Sequence, residues 1–231
     1  RLAALMGGVR AGTLAMAALA LTPMYYGHQF NNSKDIPFAA LLIWALYALV
    51  AASREVPRVS VKRAFYAAIA MGLTLGVRVG GVFVLGYLGL LWLGVLTLQW
   101  WRGRPASLAD LVRLVTTMVL MIPVAWLVMI AFWPAAQVAP LTHPIEAFRT
   151  ASHFGFPYSQ LFMGESIRTD PPPLSYIPVW FGVLLPEFYF VAALVGVMLL
   201  ALRWKERRSR RAYDIEGDAI DRVLAAQGSA H

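Results

Sequence analysis

Residues 64–101 read AFYAAIAMGLTLGVRVGGVFVLGYLGLLWLGVLTLQWW. As one helix this stretch would run roughly 57 Å at ~1.5 Å per residue, nearly twice the ~30 Å hydrocarbon core of a bilayer. The apolar run is interrupted by Arg78, with Gly80 and Gly81 close behind. The sequence therefore predicts two helices, Ala64 to Val77 and Gly80 to Trp101, joined as a hairpin that turns at Arg78, Gly80 and Gly81.

The charges on either side agree. With a hairpin, three basic connections fall on one membrane face: Arg54, Arg58, Lys62 and Arg63; then Arg102, Arg104 and Arg113; then Arg203, Lys205, Arg207, Arg208, Arg210 and Arg211. The opposite face keeps Lys34, Arg78, Arg149 and Arg168. A single pass would split the basic loops between faces and break the positive-inside rule. The basic face is expected to be cytoplasmic, and the loop from Gly27 to Ile36 lies outside.

Composition sets the class. The 231 residues are 59% hydrophobic and 14% charged, with a mean hydropathy of +0.63. A soluble domain carries about 25% charged residues. This chain cannot coat a globule with polar surface, so an all-α polytopic membrane protein is expected. The net charge of +8 reads as topology signal, and nucleic acid is not an expected partner. The chain has no cysteine, which excludes disulfides, thiolate metal sites and Cys nucleophiles.

About six transmembrane helices are expected: Leu2 to Leu21, Pro37 to Ala52, the two arms of the hairpin, Val115 to Trp133 and Ile177 to Leu202. Ala64 to Val77 is short unless neighbouring helices shield its ends. Tyr25, Tyr26, Trp100, Trp101, Trp133, Trp180 and Trp204 stand near span ends, at the interfacial levels aromatic residues prefer. Residues 1–202 form the membrane domain and 203–231 a basic cytoplasmic tail, in which Ile215 to Ala226 has the pattern of a short amphipathic helix. A rival reading takes Arg10, the apolar run from Ala11 and Ala18-Leu19-Ala20 as a secretory signal. Against it, apolar sequence already precedes Arg10, and the later spans direct the chain to the membrane.

Polar residues gather on the outer face. The loop Gly27 to Ala40, GHQFNNSKDIPFAA, holds His28, Asn31, Asn32, Lys34 and Asp35 at the mouth of a span. A longer outer segment, Pro134 to Pro178, holds His143, Glu146, Arg149, His153, Glu165, Arg168 and Asp170 among eight prolines. Its aromatics, Phe148, Phe154, Phe156, Tyr158 and Phe162, point to a folded cap on the membrane rather than a disordered loop.

Several residues carry two readings. Asp35 precedes Pro37 at a helix start, so its carboxylate either caps the backbone amides or serves a metal or an acceptor, with His28 nearby. Lys34 is a snorkelling or phosphate-facing cation. Asn31-Asn32-Ser33 matches the N-glycosylation sequon. Arg78 inside a span costs at least ~2.5 kcal/mol on insertion scales, so it either marks the hairpin turn or meets a phosphate at the outer level. Gly72, Gly76, Gly80 and Gly81 permit close helix packing. His143 and His153 read as cap-packing residues, and Glu165 as part of an exposed loop. Glu187, after Pro186, either caps the last span or faces the protein interior. No Gly-rich phosphate loop, HExxH site or GxSxG elbow occurs, so no nucleotide cofactor is expected.

The order of three motifs resembles glycosyltransferase family 39, which includes protein O-mannosyltransferases and the lipid A aminoarabinose transferase. They are P-x4-H-x-F-N-N-S-K-D-I-P-F (Pro23 to Phe38), G-L-T-L-G-V-R-V-G-G (Gly72 to Gly81), and L-F-M-G-E … P-L-S-Y-I-P-V-W-F-G-V-L-L-P-E (Leu161 to Glu187). The resemblance spans roughly Arg10 to Arg203. It implies a GT-C type fold with its active site on the outer, periplasmic face of a bacterial inner membrane. It also implies transfer of a sugar from a polyprenyl-phosphate carrier to a protein, lipid or glycan acceptor.

By that resemblance Asp35 matches a second-loop Asp associated with metal or acceptor positioning, and is the catalytic candidate and the candidate ligand of a divalent metal ion. Arg78 is the candidate for the carrier phosphate. His28, Asn32, Lys34 and Glu165 complete the expected substrate-binding set. The family's first acidic loop has no counterpart here, so the chain is expected to be an internal fragment, inactive alone. Two other classes remain open: a transporter or flippase of a lipid-linked or anionic solute, and a non-catalytic membrane subunit.

Overall fold

The structure, a computed structural model, describes residues 1–153, 158–168 and 171–206. It is mostly helical. Its elements are α1 (Leu2–Ala20), α2 (Pro23–His28), α3 (Asp35–Ser53), α4 (Val61–Val77), a 3-10 turn (Val79–Val82), α5 (Phe83–Trp101), α6 (Leu108–Phe132), α7 (Pro134–Val138), α8 (Thr142–Ser152), β1 (Ser159–Phe162), β2 (Glu165–Arg168) and α9 (Tyr176–Leu184). A last helix, α10, covers Glu187–Glu206. Five segments are long and apolar enough to cross a membrane: α1, α3, Val79–Trp101, α6 and α10. These make the chain an integral membrane protein of all-α type. It divides into two compact units, Arg1–Pro172 and Pro173–His231.

In the first unit the chain reverses at Arg78–Val82. Arg78 is extended, with φ −146 and ψ 145, and ends α4. Gly81 then folds back against Leu75, so closely that a Cβ there would lie 2.8 Å from the Leu75 Cα. Contacts at the two ends fix the helix directions. At one end the Phe38 ring lies beside Gly80. At the other, Gln99 Nε2 donates to the Val56 carbonyl at 2.8 Å, and Arg58 pairs with Asp110 at 2.7 Å. Thus α3 and α5 run one way while α4 and α6 run the other. The Arg54–Ser60 and Arg102–Ser107 connections share one end, and Asp35 and Arg78 share the opposite end.

The core follows from small residues on facing stripes. Ala45, Ala48, Leu49 and Ala52 of α3 are buried at helical spacing, as are Val84, Leu88 and Trp92 of α5. On α4 the buried set is Ala64, Ala67, Ala68, Ala70, Met71, Gly72 and Thr74. Helix association in lipid gains little from hydrophobic transfer and depends on close packing of such residues. Gly72 shows this directly: a Cβ there would sit 2.4 Å from the Ala125 carbonyl oxygen of α6. At 17 residues α4 spans only roughly 25 Å at ~1.5 Å per residue. It packs between α3 and α6, which cover the sides that a short helix would expose.

The observed boundaries differ from expectation in four places. First, α6 starts at Leu108 rather than Val115, because Ser107 and Asp110 form a capping box: the Asp110 amide donates to Ser107 Oγ at 3.2 Å and the Ser107 amide to Asp110 Oδ2 at 3.4 Å. Second, α1 is broken at Gly8, where φ is +81, a region open to glycine. Third, the expected span Ile177 to Leu202 is two helices. Pro186 removes a backbone donor, and Leu185 before it is extended at φ −85 and ψ 130. Glu187 is therefore the first residue of α10.

Fourth, the segment Pro134 to Pro178 also contains a β-hairpin. Ser159–Phe162 and Glu165–Arg168 pair antiparallel, with Phe162 opposite Glu165. Met163 and Gly164 both have positive φ, 52 and 88, the signature of a two-residue type I′ turn. Phe154, Phe156, Asp170, most of the basic tail and the Ile215 to Ala226 helix lie outside the described residues.

Candidate functional site

The site is built at the start of α3. Asn32 stands one turn ahead of Asp35. Its Oδ1 accepts from the Asp35 amide at 2.8 Å and from the Lys34 amide at 3.2 Å. Its Nδ2 donates to Asp35 Oδ2 at 2.8 Å. Asn32 itself is held from behind, because its amide donates to the His28 carbonyl at 2.8 Å. The short polar side chain of Asn suits this role at a turn.

Asn32 therefore satisfies the amides at the entry to α3, and the capping reading of Asp35 is corrected. Asp35 is the first residue of the helix. Its carboxylate near the positive helix terminus is favourable electrostatically, but its oxygens point to side chains. Oδ2 takes the Asn32 amide, and Oδ1 forms an ion pair with Arg78 Nη1. The two side chains remain 52% and 49% exposed.

Arg78 marks the hairpin turn, the first of its two sequence readings. It ends α4 in the extended conformation that opens the turn, and its guanidinium reaches back to α3. A guanidinium carries five N–H donors in a planar fork. The bond to Asp35 leaves donors for a second anion, in the geometry that suits phosphate oxygens.

The other expected residues are placed less closely. His28 ends α2 with its ring exposed, and Lys34 is exposed at the entry to α3. Among the described residues neither side chain makes a hydrogen bond or ion pair. Glu165 opens β2 and is exposed, and among the described residues it has no bond to Asp35 or Arg78. His143 packs the cap: its Nδ1 donates to the Ala135 carbonyl at 2.6 Å. The His153 ring bonds within its own turn, to the Arg149 carbonyl and to Ser152 Oγ at 3.0 Å.

Among the described residues no three His, Asp or Glu side chains gather. A divalent cation of the Mg or Ca kind takes about six oxygen ligands. Asp35, shared by a guanidinium and an amide, would supply one or two of those ligands.

Beside the turn that Arg78 opens lies an apolar cavity of about 180 Å³. Val79 and Val82 of the turn, Trp126 and Trp133 of α6, and Ile145 and Phe148 of α8 line it. The α8 helix is held there partly by Trp126 Nε1, which donates to the Pro140 carbonyl at 3.0 Å. Of these, the sequence singled out only Trp133, as an interfacial aromatic, and Phe148, as an aromatic of the cap. Their trace is the helical spacing of Pro144, Ile145 and Phe148, which gives α8 one apolar face. Compared with protein-family models, with curated proteins and with solved structures, the chain matches none.

Proposed function

We propose that this chain belongs to a membrane glycosyltransferase that moves a sugar from a polyprenyl-phosphate carrier to an acceptor at the outer membrane face. The observation that carries the reading is the Asp35–Arg78 pair at the mouth of α3, on the end away from the basic connections. Glycosyl transfer from such a carrier leaves a phosphate anion, and Arg78 has donors to receive it. The acceptor hydroxyl needs a carboxylate to orient it, and Asp35 is within reach of the same space. The apolar cavity beside the turn suits the first prenyl unit of the carrier.

In this reading Arg78 moves part of its hydrogen bonding from Asp35 to the carrier phosphate as the donor binds. Asp35 then keeps its bond from Asn32 and turns its other oxygen to the acceptor. His28 and Lys34, with no partners of their own among the described residues, border the approach. The test is transfer of radiolabelled sugar from polyprenyl-phosphate donors in membranes that express the protein at full natural length. Carrier-dependent transfer that falls in Asp35→Asn supports the reading. Absence of transfer with every donor, in well-expressed membranes, overturns it.

The same pair also favours a second reading. An ion pair that ties the start of α3 to the α4–α5 turn is a structural staple, as in a non-catalytic membrane subunit. That reading requires transfer to survive Asp35→Asn wherever the protein stays folded.

A further inference from the structure

The end of the first unit that carries the basic connections holds a second cavity, of about 520 Å³. It lies where α1, α3 and α4 meet, within the usual size range of ligand pockets, about 300–1,000 Å³. Arg1, Lys62 and Arg63 contribute three cations to its lining. Glu55 is the one acid there, and it is already committed: Oε2 accepts the Ser60 amide at 2.9 Å and Oε1 pairs with Arg63. Lys62 and Arg1 have no carboxylate partner among the described residues. The cavity is therefore electropositive.

Its polarity changes along the membrane normal. The charged groups sit before α1, in the loop after α3 and in the first turn of α4. The wall then follows α3 back through Ala51, Ala48 and Tyr47 to Trp44. Trp44 precedes Glu55 by three helical turns, roughly 16 Å along the axis at ~1.5 Å per residue. Trp44, at the middle of the apolar α3, is 47% exposed, so the deep part opens sideways, toward lipid. Cations at the interface above an apolar and aromatic wall reproduce the profile of one phospholipid, with an anionic head and an acyl chain. A free phosphate would match only the upper half.

We infer that this cavity is a binding site for an anionic phospholipid, with its phosphate between Lys62 and Arg1 and its acyl chain along Tyr47 and Trp44. The site is separate from Asp35 and Arg78 and does not depend on the glycosyltransferase reading. It uses the basic connections twice, once to orient the chain in the membrane and once to hold a lipid of the leaflet they face.

The test uses the protein in nanodiscs of phosphatidylcholine, with and without phosphatidylglycerol, and in phosphatidylcholine discs with added inorganic phosphate. Lipid retained after detergent exchange is read by native mass spectrometry, and Tm is read in parallel. Phosphatidylglycerol should be retained and raise Tm. Lys62→Gln should lower retention at least fivefold, with Tm in pure phosphatidylcholine unchanged because Lys62 is exposed, and Lys62→Arg should restore retention. Equal retention by Lys62→Gln overturns the site. An equal rise of Tm with inorganic phosphate also overturns it, in favour of a soluble anion.

Discussion

Arg78, in the turn between α4 and α5, is ion-paired with Asp35, the first residue of α3. The pair joins two segments far apart in sequence and closes one end of the four-helix core. It is half exposed, so its own contribution to stability is small, about 0.2–1 kcal/mol by analogy with exposed pairs. Asp35→Asn should therefore leave expression and Tm nearly unchanged. In the proposed enzyme the same change should reduce sugar transfer at least tenfold. Full activity in Asp35→Asn would leave the pair as a staple and remove it from the chemistry.

Asn32 should matter more to the fold than Asp35 does. Asn32→Ala removes an acceptor for two backbone amides and a donor to Asp35 Oδ2. Loss of such a cap costs about 0.5–2 kcal/mol. Thermal unfolding in detergent should place Asn32→Ala below Asp35→Asn. The reverse order would return the capping role to Asp35.

Gly72 and Gly76 lie on the α4 face that meets α6, but at different separations. A Cβ on Gly72 would lie 2.4 Å from a backbone oxygen, and one on Gly76 3.4 Å from another. Gly72→Ala must push the helices apart and should destabilise by about 1–3 kcal/mol, as overpacked cores do. Gly76→Ala should be much milder. Tm shifts of equal size would contradict the packing seen here.

Glu55 gives a pH dependence. The Ser60 amide bonded to its carboxylate, with Arg63 beside it, holds Glu55 below its usual value of 4.5. A carboxylate depressed in the fold stabilises above its unfolded pKa, and that stability is lost as pH falls through the folded value. The Tm difference between the native protein and Glu55→Gln should be present at pH 6 and shrink progressively below about pH 4.5. A gap independent of pH would assign the effect to packing alone.

The absence of cysteine makes sidedness directly measurable. Ser33→Cys and Pro105→Cys place single thiols in the exposed loops at the two ends of the first unit. In sealed vesicles an impermeant maleimide should label one of them and spare the other. Labelling of both from one side would break the topology built on the Arg78 turn.

Much of this architecture was legible in local chemistry. The apolar runs, the Arg78-Val79-Gly80-Gly81 interruption and the clustering of Lys and Arg at alternate connections each follow from bilayer thickness and charge. The Ser107-Leu108-Ala109-Asp110 capping box and the Met163-Gly164 turn were also written in the chain. They are short patterns inside or beside apolar sequence, where hydropathy dominates the reading. Pro186 was visible too, and breaks the last apolar run for the backbone reasons that hold anywhere.

By itself the sequence determined that the chain is helical and membrane-embedded, and that the basic connections after α3 and α5 share one end. Those properties depend on composition and on period, which every residue carries locally. Only the tertiary structure decided that Asp35 meets Arg78, that the short α4 is flanked by α3 and α6, and that Lys62 borders a cavity with Trp44. Each of these joins residues brought together by helix packing. In lipid that packing is set by where small side chains let backbones approach, and no single segment records it.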